Sequence, residues 1–213
     1  MSISIIETTL GSARITSTKH HNKIVAFITH GAGKGLDAVD LSSVIHQLDV
    51  NGISVVGVEM PWLIAGKKIA SPAPQLDQVW REVNESLIEI YSDYKKIFIG
   101  RSTGARVICR TAKFLKPDLI INLAFPLIAP NGKSREDELK NALDTGIEII
   151  IIQGQKDKFG SASKIYESLG NRKNLEIIDA GNLTHELSSD VGKLVIDALN
   201  KKRWITGQGS VGL

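Results

Sequence analysis

Three side chains of this sequence have the types, and the order along the chain, that nucleophilic catalysis by a serine requires. Ser102 lies at the centre of Gly100–Gly104, a G-x-S-x-G pattern that follows a short apolar run and precedes a helix-like stretch. Such a strand–turn–helix junction is strained, and a glycine two residues to either side of the serine prevents collisions with the strand and the helix. The pattern alone is common, and Ser102 would also suit a helix N-cap.

Asp157 and His185 can supply the acid and the base that such a serine needs. Asp157 lies in a loop after the apolar run EIIIIQ, and His185 follows the last strand-like run and is the only histidine after Ser102. A serine hydroxyl becomes a good nucleophile when an imidazole takes its proton, and a carboxylate fixes the tautomer of that imidazole. Taken singly, Asp157 is typical of a turn and His185 of an exposed loop. Together the three residues predict a Ser-His-Asp triad.

The stretch His30–Gly33 is a candidate for stabilising the oxyanion of an acyl-transfer intermediate. Such an intermediate needs two hydrogen-bond donors aimed at the developing charge. We expect one to be the backbone N–H of Thr103, directly after the nucleophile, and the other to be that of Ala32, with Gly33 the next choice. The small residues of this stretch allow the backbone to approach a substrate closely, and His30 is predicted to brace the loop.

Two loops are the only segments long enough to cover this site, residues 62–74 and residues 125–144. Residues 62–74 lack helical or strand periodicity and are predicted to form a surface loop. Residues 125–144 are predicted to form a loop followed by a short helix. Further substrate contacts are expected from residues on or beside the site's loops: Gly33, Trp62, Arg101 and Phe125.

The glycines after His30 also partly imitate a dinucleotide-binding pattern, because a strand, Gly-Ala-Gly-Lys-Gly, a helix and a second strand follow one another. The third glycine of that pattern would fall at Leu36, and the P-loop pattern is not met either. The five histidines and the single cysteine, Cys109, show no metal-ligand spacing. The sequence therefore predicts neither a cofactor nor a metal.

The elements that must position these residues follow from the hydrophobic pattern. Strands are predicted over 2–9 and 13–17 as an antiparallel hairpin, and then over 23–29, 53–60, 97–99, 118–124, 148–153 and 175–178. Helices are predicted over 38–50, 75–91, the stretch after Gly104, part of 125–144, 163–169 and 191–201.

Strands alternating with helices, with most strands apolar throughout, indicate a single α/β domain. We expect a mostly parallel central sheet of about seven or eight strands with an N-terminal antiparallel hairpin and helices on both faces. Ligands bind beyond the carboxyl ends of such strands, where Ser102, Asp157 and His185 are expected. The domain is predicted to span residues 1–203, with a flexible tail at 204–213.

Composition narrows the possible partners. The 213 residues carry a net charge of +3, and the basic residues are spread along the chain rather than clustered. The spread of basic residues predicts no nucleic-acid partner, and the lack of an apolar run of about 20 residues predicts no membrane partner. The lone Cys109 and the lack of a secretory leader favour the cytoplasm, and Cys109 is predicted to be a core residue. The oligomeric state does not follow from the sequence.

The motifs HGAG, GRSTG and GQKDKFG, followed by a late histidine, resemble the α/β-hydrolase superfamily. More narrowly they resemble its small cap-less group related to dienelactone hydrolases and to a testis-expressed hydrolase-like protein. The matching stretches are 29–33, 61–68, 100–106, 125–130 and 153–160. The dienelactone hydrolases carry a cysteine nucleophile, where this chain has Ser102.

The resemblance implies the α/β-hydrolase fold without a large cap domain. It implies Ser102 as nucleophile, Asp157 as acid and His185 as base, with the amides of Ala32 and Thr103 as the oxyanion hole. The expected activity is that of a carboxylesterase-like serine hydrolase that cleaves an ester, thioester or similar acyl bond of a small-molecule substrate. The alternative is a non-catalytic binding or interaction module on the same fold.

Overall fold

Eight strands form one sheet in the computed structural model, which describes residues 1–67 and 69–205. The strands are β1 (Ser2–Thr8), β2 (Gly11–Thr18), β3 (Ile24–Thr29), β4 (Ser54–Glu59), β5 (Lys95–Arg101), β6 (Leu119–Leu123), β7 (Glu148–Gln153) and β8 (Leu175–Asp179). Within the described residues the helices are α1 (Val39–Val50), α2 (Pro61–Ile64), α3 (Ala73–Ser86), α4 (Thr103–Leu115), α5 (Glu136–Leu143), α6 (Ala162–Leu169) and α7 (Val191–Lys201).

The strand order across the sheet is β1-β2-β4-β3-β5-β6-β7-β8. β1 pairs antiparallel with β2 and β2 antiparallel with β4, whereas all later neighbours are parallel. Every residue of β3, β4 and β6 is buried, as expected for apolar strands covered on both faces. The predicted α/β fold with an N-terminal hairpin is confirmed.

Helices cover both faces of the sheet, and the sheet separates the core into two clusters. Trp80 of α3 and Phe98 of β5 pack edge to face in the first cluster, with ring centres 5.3 Å apart. Leu41 of α1 and Leu199 of α7 are fully buried in the second cluster, on the opposite face. The described connections between strands hold at most two helices, α2 and α3 between β4 and β5, and none of them inserts a separate cap domain.

One predicted helix boundary and one predicted loop are wrong. The helix expected over 75–91 ends at Ser86, because the chain then turns so that the ring of Tyr91 meets Phe27 and Ile90 is left exposed. The surface loop expected over 62–74 begins with α2, whose first residue is a proline, as helices favour. α2 turns Trp62 into the core, where it is 4% exposed.

The chain's C-terminal end is described as far as residue 205. Trp204 and Ile205 are partly buried against the core cluster of α1 and α7. The rest of the predicted tail, residues 206–213, lies outside the described residues. Among the described helices, none is both long and apolar enough to cross a membrane.

Candidate active site

The turn between β5 and α4 holds Ser102 in a backbone conformation that side chains rarely adopt. Its φ is 53° and its ψ is −107°, and a non-glycine residue in such a region persists only where its surroundings enforce it. The surroundings do so through hydrogen bonds: the N–H of Ser102 donates to the carbonyl of Leu123 at 2.9 Å. The N–H of Gly104 donates to the carbonyl of His30 at 3.1 Å.

Gly100 and Gly104 are required by close backbone contacts on either side of the serine. A Cβ at Gly100 would lie 2.5 Å from the backbone nitrogen of Ala105, and one at Gly104 would lie 2.7 Å from the carbonyl oxygen of Thr29. Neither contact is with a flexible side chain that could move away. The steric reason for the G-x-S-x-G pattern is therefore present in the structure.

The three residues predicted as a triad form a continuous chain of hydrogen bonds at the carboxyl edge of the sheet. Ser102 Oγ lies 2.8 Å from His185 Nε2, and His185 Nδ1 lies 2.8 Å from Asp157 Oδ2. The Asp157 side chain is fully buried, and that of His185 is 16% exposed. The carboxylate can only accept, so Nδ1 carries the proton and Nε2 is free to accept the hydroxyl proton of Ser102.

Two further groups fix the carboxylate of Asp157. The N–H of Phe159 donates to Oδ1 at 2.8 Å, and the side-chain amide of Gln153 donates to Oδ2 at 2.9 Å. The same Gln153 amide reaches the carbonyl oxygens of Gly160 and Phe125, at 2.6 and 3.2 Å. The sequence analysis missed this role of Gln153, although a polar residue ending an otherwise apolar strand was a signal for it.

The histidine loop lies directly on the loop that carries Asp157. A Cβ at Gly154 would come within 2.2 Å of the carbonyl oxygen of Leu183, and the N–H of Lys156 donates to that same oxygen at 2.9 Å. The ring of Phe159 meets the ring of His185 edge on, with centres 4.8 Å apart. The backbone contact and the ring packing together fix the position and the orientation of the imidazole.

The segments predicted to form an oxyanion hole lie side by side. A Cβ at Gly31 would lie 3.4 Å from Cβ of Ser102, so the loop after β3 borders the nucleophile directly. Ala32 and Gly33 are exposed in this loop. Thr103 is the first residue of α4, where backbone N–H groups have no partner within the helix.

His30 braces the loop after β3, as predicted. Its Nδ1 lies 2.8 Å from the carbonyl oxygen of Gly31, and its Nε2 accepts the N–H of Met60 at 3.0 Å. Burial lowers the pKa of His30, which favours the neutral ring that donates at one nitrogen and accepts at the other. The ring also packs against Trp62, with centres 5.5 Å apart.

The remaining residues predicted to contact a substrate are placed differently. Trp62 is 4% exposed and Phe125 is fully buried, so both side chains are part of the core and do not line an exposed loop. The sequence did not indicate this burial, because an aromatic side chain in a segment without periodicity can point into the core or into solvent. Arg101 donates from Nε to Asp40 Oδ2 at 3.2 Å and from Nη2 to the carbonyl oxygen of His185 at 3.1 Å.

Cys109 takes no part in this hydrogen-bond chain. Cys109 is buried in the core, as predicted, and burial raises the pKa of its thiol to about 12. Across residues 1–67 and 69–205, no group of three histidine, cysteine, aspartate or glutamate side chains is arranged to hold a metal ion.

Comparison with known proteins identifies relatives of the whole domain. A family model described as an alpha/beta hydrolase domain matches residues 22–200. No curated protein matches the chain. The narrower likeness to dienelactone hydrolases stays a prediction.

Solved structures share the fold at low sequence identity. An α/β serine hydrolase without a lid from Xanthomonas campestris is 15% identical, with a TM-score of 0.77 over 97% of this chain and 96% of that chain. A serine hydrolase homologue from Coxiella burnetii is 13% identical, with a TM-score of 0.77 over 94% and 96%. The esterase domain of a Rhodothermus marinus protein is 15% identical, with a TM-score of 0.65 over 94% and 96%.

Proposed function

Because the chain belongs to the alpha/beta hydrolase domain family, we propose that it is a serine hydrolase that cleaves an ester, thioester or similar acyl bond. The observation that carries the proposal is the hydrogen-bond chain from Ser102 through His185 to Asp157. It stands at the carboxyl edge of a mostly parallel sheet, where α/β folds bind their ligands. The strained backbone of Ser102 adds support, because such strain clusters at functional sites.

The reaction follows from the positions of the protons. His185 Nε2 takes the proton of Ser102 Oγ as that oxygen attacks the acyl carbonyl, and Asp157 stabilises the imidazolium. The N–H groups of Ala32 and Thr103 are the proposed donors to the oxyanion. The leaving group departs with the proton from His185, and an acyl-enzyme remains. His185 then deprotonates a water molecule, which attacks the acyl-enzyme, and the proton returns to Ser102 as the acid leaves.

The open edge of the sheet favours a small or exposed acyl substrate. No described segment covers the triad as a cap, and Trp62 and Phe125 are turned into the core. The lid-less hydrolase of Xanthomonas campestris and the esterase domain of Rhodothermus marinus have this fold, which supports carboxylesterase-like chemistry on a small molecule. Such a site offers little enclosed apolar surface for a long acyl chain.

The test compares wild type with Ser102→Ala and with Ser86→Ala, which removes an exposed hydroxyl from α3. Each protein is treated with a fluorophosphonate probe and assayed on short p-nitrophenyl esters. We expect wild type and Ser86→Ala to label and hydrolyse alike, whereas Ser102→Ala does neither. Equal labelling and hydrolysis by wild type and Ser102→Ala would overturn the proposal. A folded wild type without either activity would instead support the non-catalytic binding module.

A further inference from the structure

The guanidinium of Arg101 connects three segments that meet at the nucleophile. Nη2 donates to the carbonyl oxygen of His185 at 3.1 Å, and Nε donates to Asp40 Oδ2 at 3.2 Å. A Cβ at Gly31 would come within 2.7 Å of Nη1, so the third nitrogen packs against the loop after β3. One side chain thus contacts the histidine loop, the first turn of α1 and the predicted oxyanion loop.

Asp40 holds this guanidinium in place from a fixed position. Its side chain is only 4% exposed, and its other oxygen, Oδ1, accepts the N–H of Leu41 at 2.8 Å. An ionised donor and acceptor make a stronger and more directional contact than neutral groups do. Because α1 is packed into the core through Leu41, the position of Arg101 is tied to the rigid part of the fold rather than to another loop.

The histidine loop has its other anchor on the opposite side. Leu183 accepts the N–H of Lys156, which fastens the loop to the segment that carries Asp157. Within the described residues, the hydrogen bond from Arg101 is the one that the carbonyl of His185 receives. Without it, the backbone of His185 loses its hydrogen bond to the residue that precedes Ser102, whereas the contact of Leu183 with the segment that carries Asp157 remains.

We propose that Arg101 is a positioning residue of the active site, which fixes the backbone of His185 relative to Ser102, and that Asp40 orients Arg101 for this task. The proposal rests on the proposed hydrolase function. Arg101 acts through His185 and does not contact the substrate, because its side chain is 15% exposed and two of its nitrogens are already bonded. This replaces the expectation that Arg101 contacts a substrate.

The test removes the guanidinium while keeping the aliphatic stem, in Arg101→Met. Arg106→Met is the matched control, because Arg106 is 20% exposed, lies in the first turn of α4 and pairs with Glu138 rather than with the histidine loop. On p-nitrophenyl acetate we expect Arg101→Met to lower kcat by on the order of 10- to 100-fold with KM within about twofold, since small misplacements of a catalytic group are that harmful. Arg106→Met should keep kcat within about twofold.

Two further variants, one at Arg101 itself and one at its partner Asp40, test the same contacts. Arg101→Lys should recover only part of the lost kcat, because a single ammonium cannot reproduce the two-directional fork of a guanidinium. Asp40→Asn should lower kcat less than Arg101→Met, and the double variant should match Arg101→Met alone, because both changes remove one connected contact. Additive losses in the double variant would count against the role given to Asp40.

The kinetic outcomes separate positioning from the other roles. A higher KM with unchanged kcat in Arg101→Met would mean that Arg101 contacts the substrate, and an unchanged kcat would mean that it positions nothing. Equal losses of kcat and of thermal stability in Arg101→Met and Arg106→Met would mean that the contact is only structural. Each of these results overturns the proposal.

An NMR measurement tests the positioning independently of catalysis. The ring nitrogen signals of His185, assigned with a His185→Gln variant, report the hydrogen bonds to Ser102 and Asp157. We expect Arg101→Met to shift the Nε2 signal while the Nδ1 signal stays close to that of wild type, and Arg106→Met to shift neither. Unchanged signals in Arg101→Met would overturn the positioning role. If wild type neither labels nor hydrolyses, the proposed function fails and these signals alone decide the role of Arg101.

Discussion

The carboxylate of Asp157 owes its position to a neutral side chain that takes no direct part in the proton transfer. Gln153 ends β7, is fully buried and donates to Asp157 Oδ2. A buried carboxylate that keeps its charge needs such donors, because leaving an ion unsolvated in the core is far more unfavourable than satisfying it with a fixed dipole. The amide also bonds the carbonyls of Phe125 and Gly160, so it joins the loop after β6 to the loop after β7 that carries Asp157.

Replacing Gln153 by methionine should therefore affect both stability and turnover. We expect Gln153→Met to lower the free energy of unfolding by about 1–3 kcal/mol, since buried acceptors lose their partner. We also expect kcat on p-nitrophenyl acetate to fall by about tenfold because Asp157 loses its alignment. Urea unfolding and steady-state kinetics measure the two effects.

Gln155→Met is the control for this change, because the Gln155 amide bonds Asp179 on the exposed side of the loop. It should leave both quantities close to those of wild type. If Gln153→Met keeps wild-type kcat while losing stability, the amide supports the fold without aligning Asp157.

At the scale of elements, α3, α4 and α5 are joined by a network of ion pairs. Arg110 of α4 binds Asp77 of α3 through two nitrogens and also reaches Glu138 of α5. Arg106 binds the same Glu138 through two nitrogens, at 2.8 and 2.6 Å. The network therefore joins α4 to both α3 and α5 on the side of α4 that faces away from the histidine loop.

Glu138→Gln should remove about 1–2 kcal/mol from the free energy of unfolding, because two partly buried guanidinium groups lose their shared carboxylate. Glu136→Gln is the matched control: Glu136 lies on the same helix, two residues earlier, and pairs with Lys140 nearer the surface. Such a surface pair contributes little, so this variant should stay within about 0.5 kcal/mol of wild type. Equal losses in urea unfolding would show that the network contributes no more than the surface pair does.

The elements that could be predicted from the sequence are those whose burial is uniform. β4 and β6 are mostly apolar and buried from end to end, and α7 has its predicted bounds because its apolar stripe begins and ends sharply. The end of α3 and the short α2 could not be predicted in the same way, because Tyr91 and Trp62 are buried by contacts with distant segments. Those contacts leave no periodic trace in the local sequence.

The same distinction holds for the candidate site. Ser102, Asp157 and His185 could be predicted to meet because each follows a strand, and parallel strands end at one edge. The partners are harder to predict: a polar residue at the end of an apolar strand marks Gln153 without indicating what it bonds, and Asp40 lies on a helix that the sequence does not place beside Arg101. The sequence therefore indicates the reacting groups better than it indicates the groups that align them.

At the scale of the whole molecule, Cys109 can report when the two-layered core opens. It is the chain's single cysteine, it is 2% exposed between α4 and β6, and burial raises the pKa of its thiol to about 12. A thiol reacts as its thiolate, so both burial and the raised pKa protect it in the folded protein.

We expect one thiol per chain to react with a disulfide reagent at pH 8 only as the domain unfolds. The labelling rate should rise with urea in parallel with the unfolded fraction seen by circular dichroism, because reaction follows the population of the open form. Cys109→Ser should give no labelling at any urea concentration. Full labelling of the native protein within minutes, without urea, would mean that α4 separates from the sheet in the folded state. Since Ser102 directly precedes α4, such opening would also disrupt the hydrogen bond between Ser102 and His185.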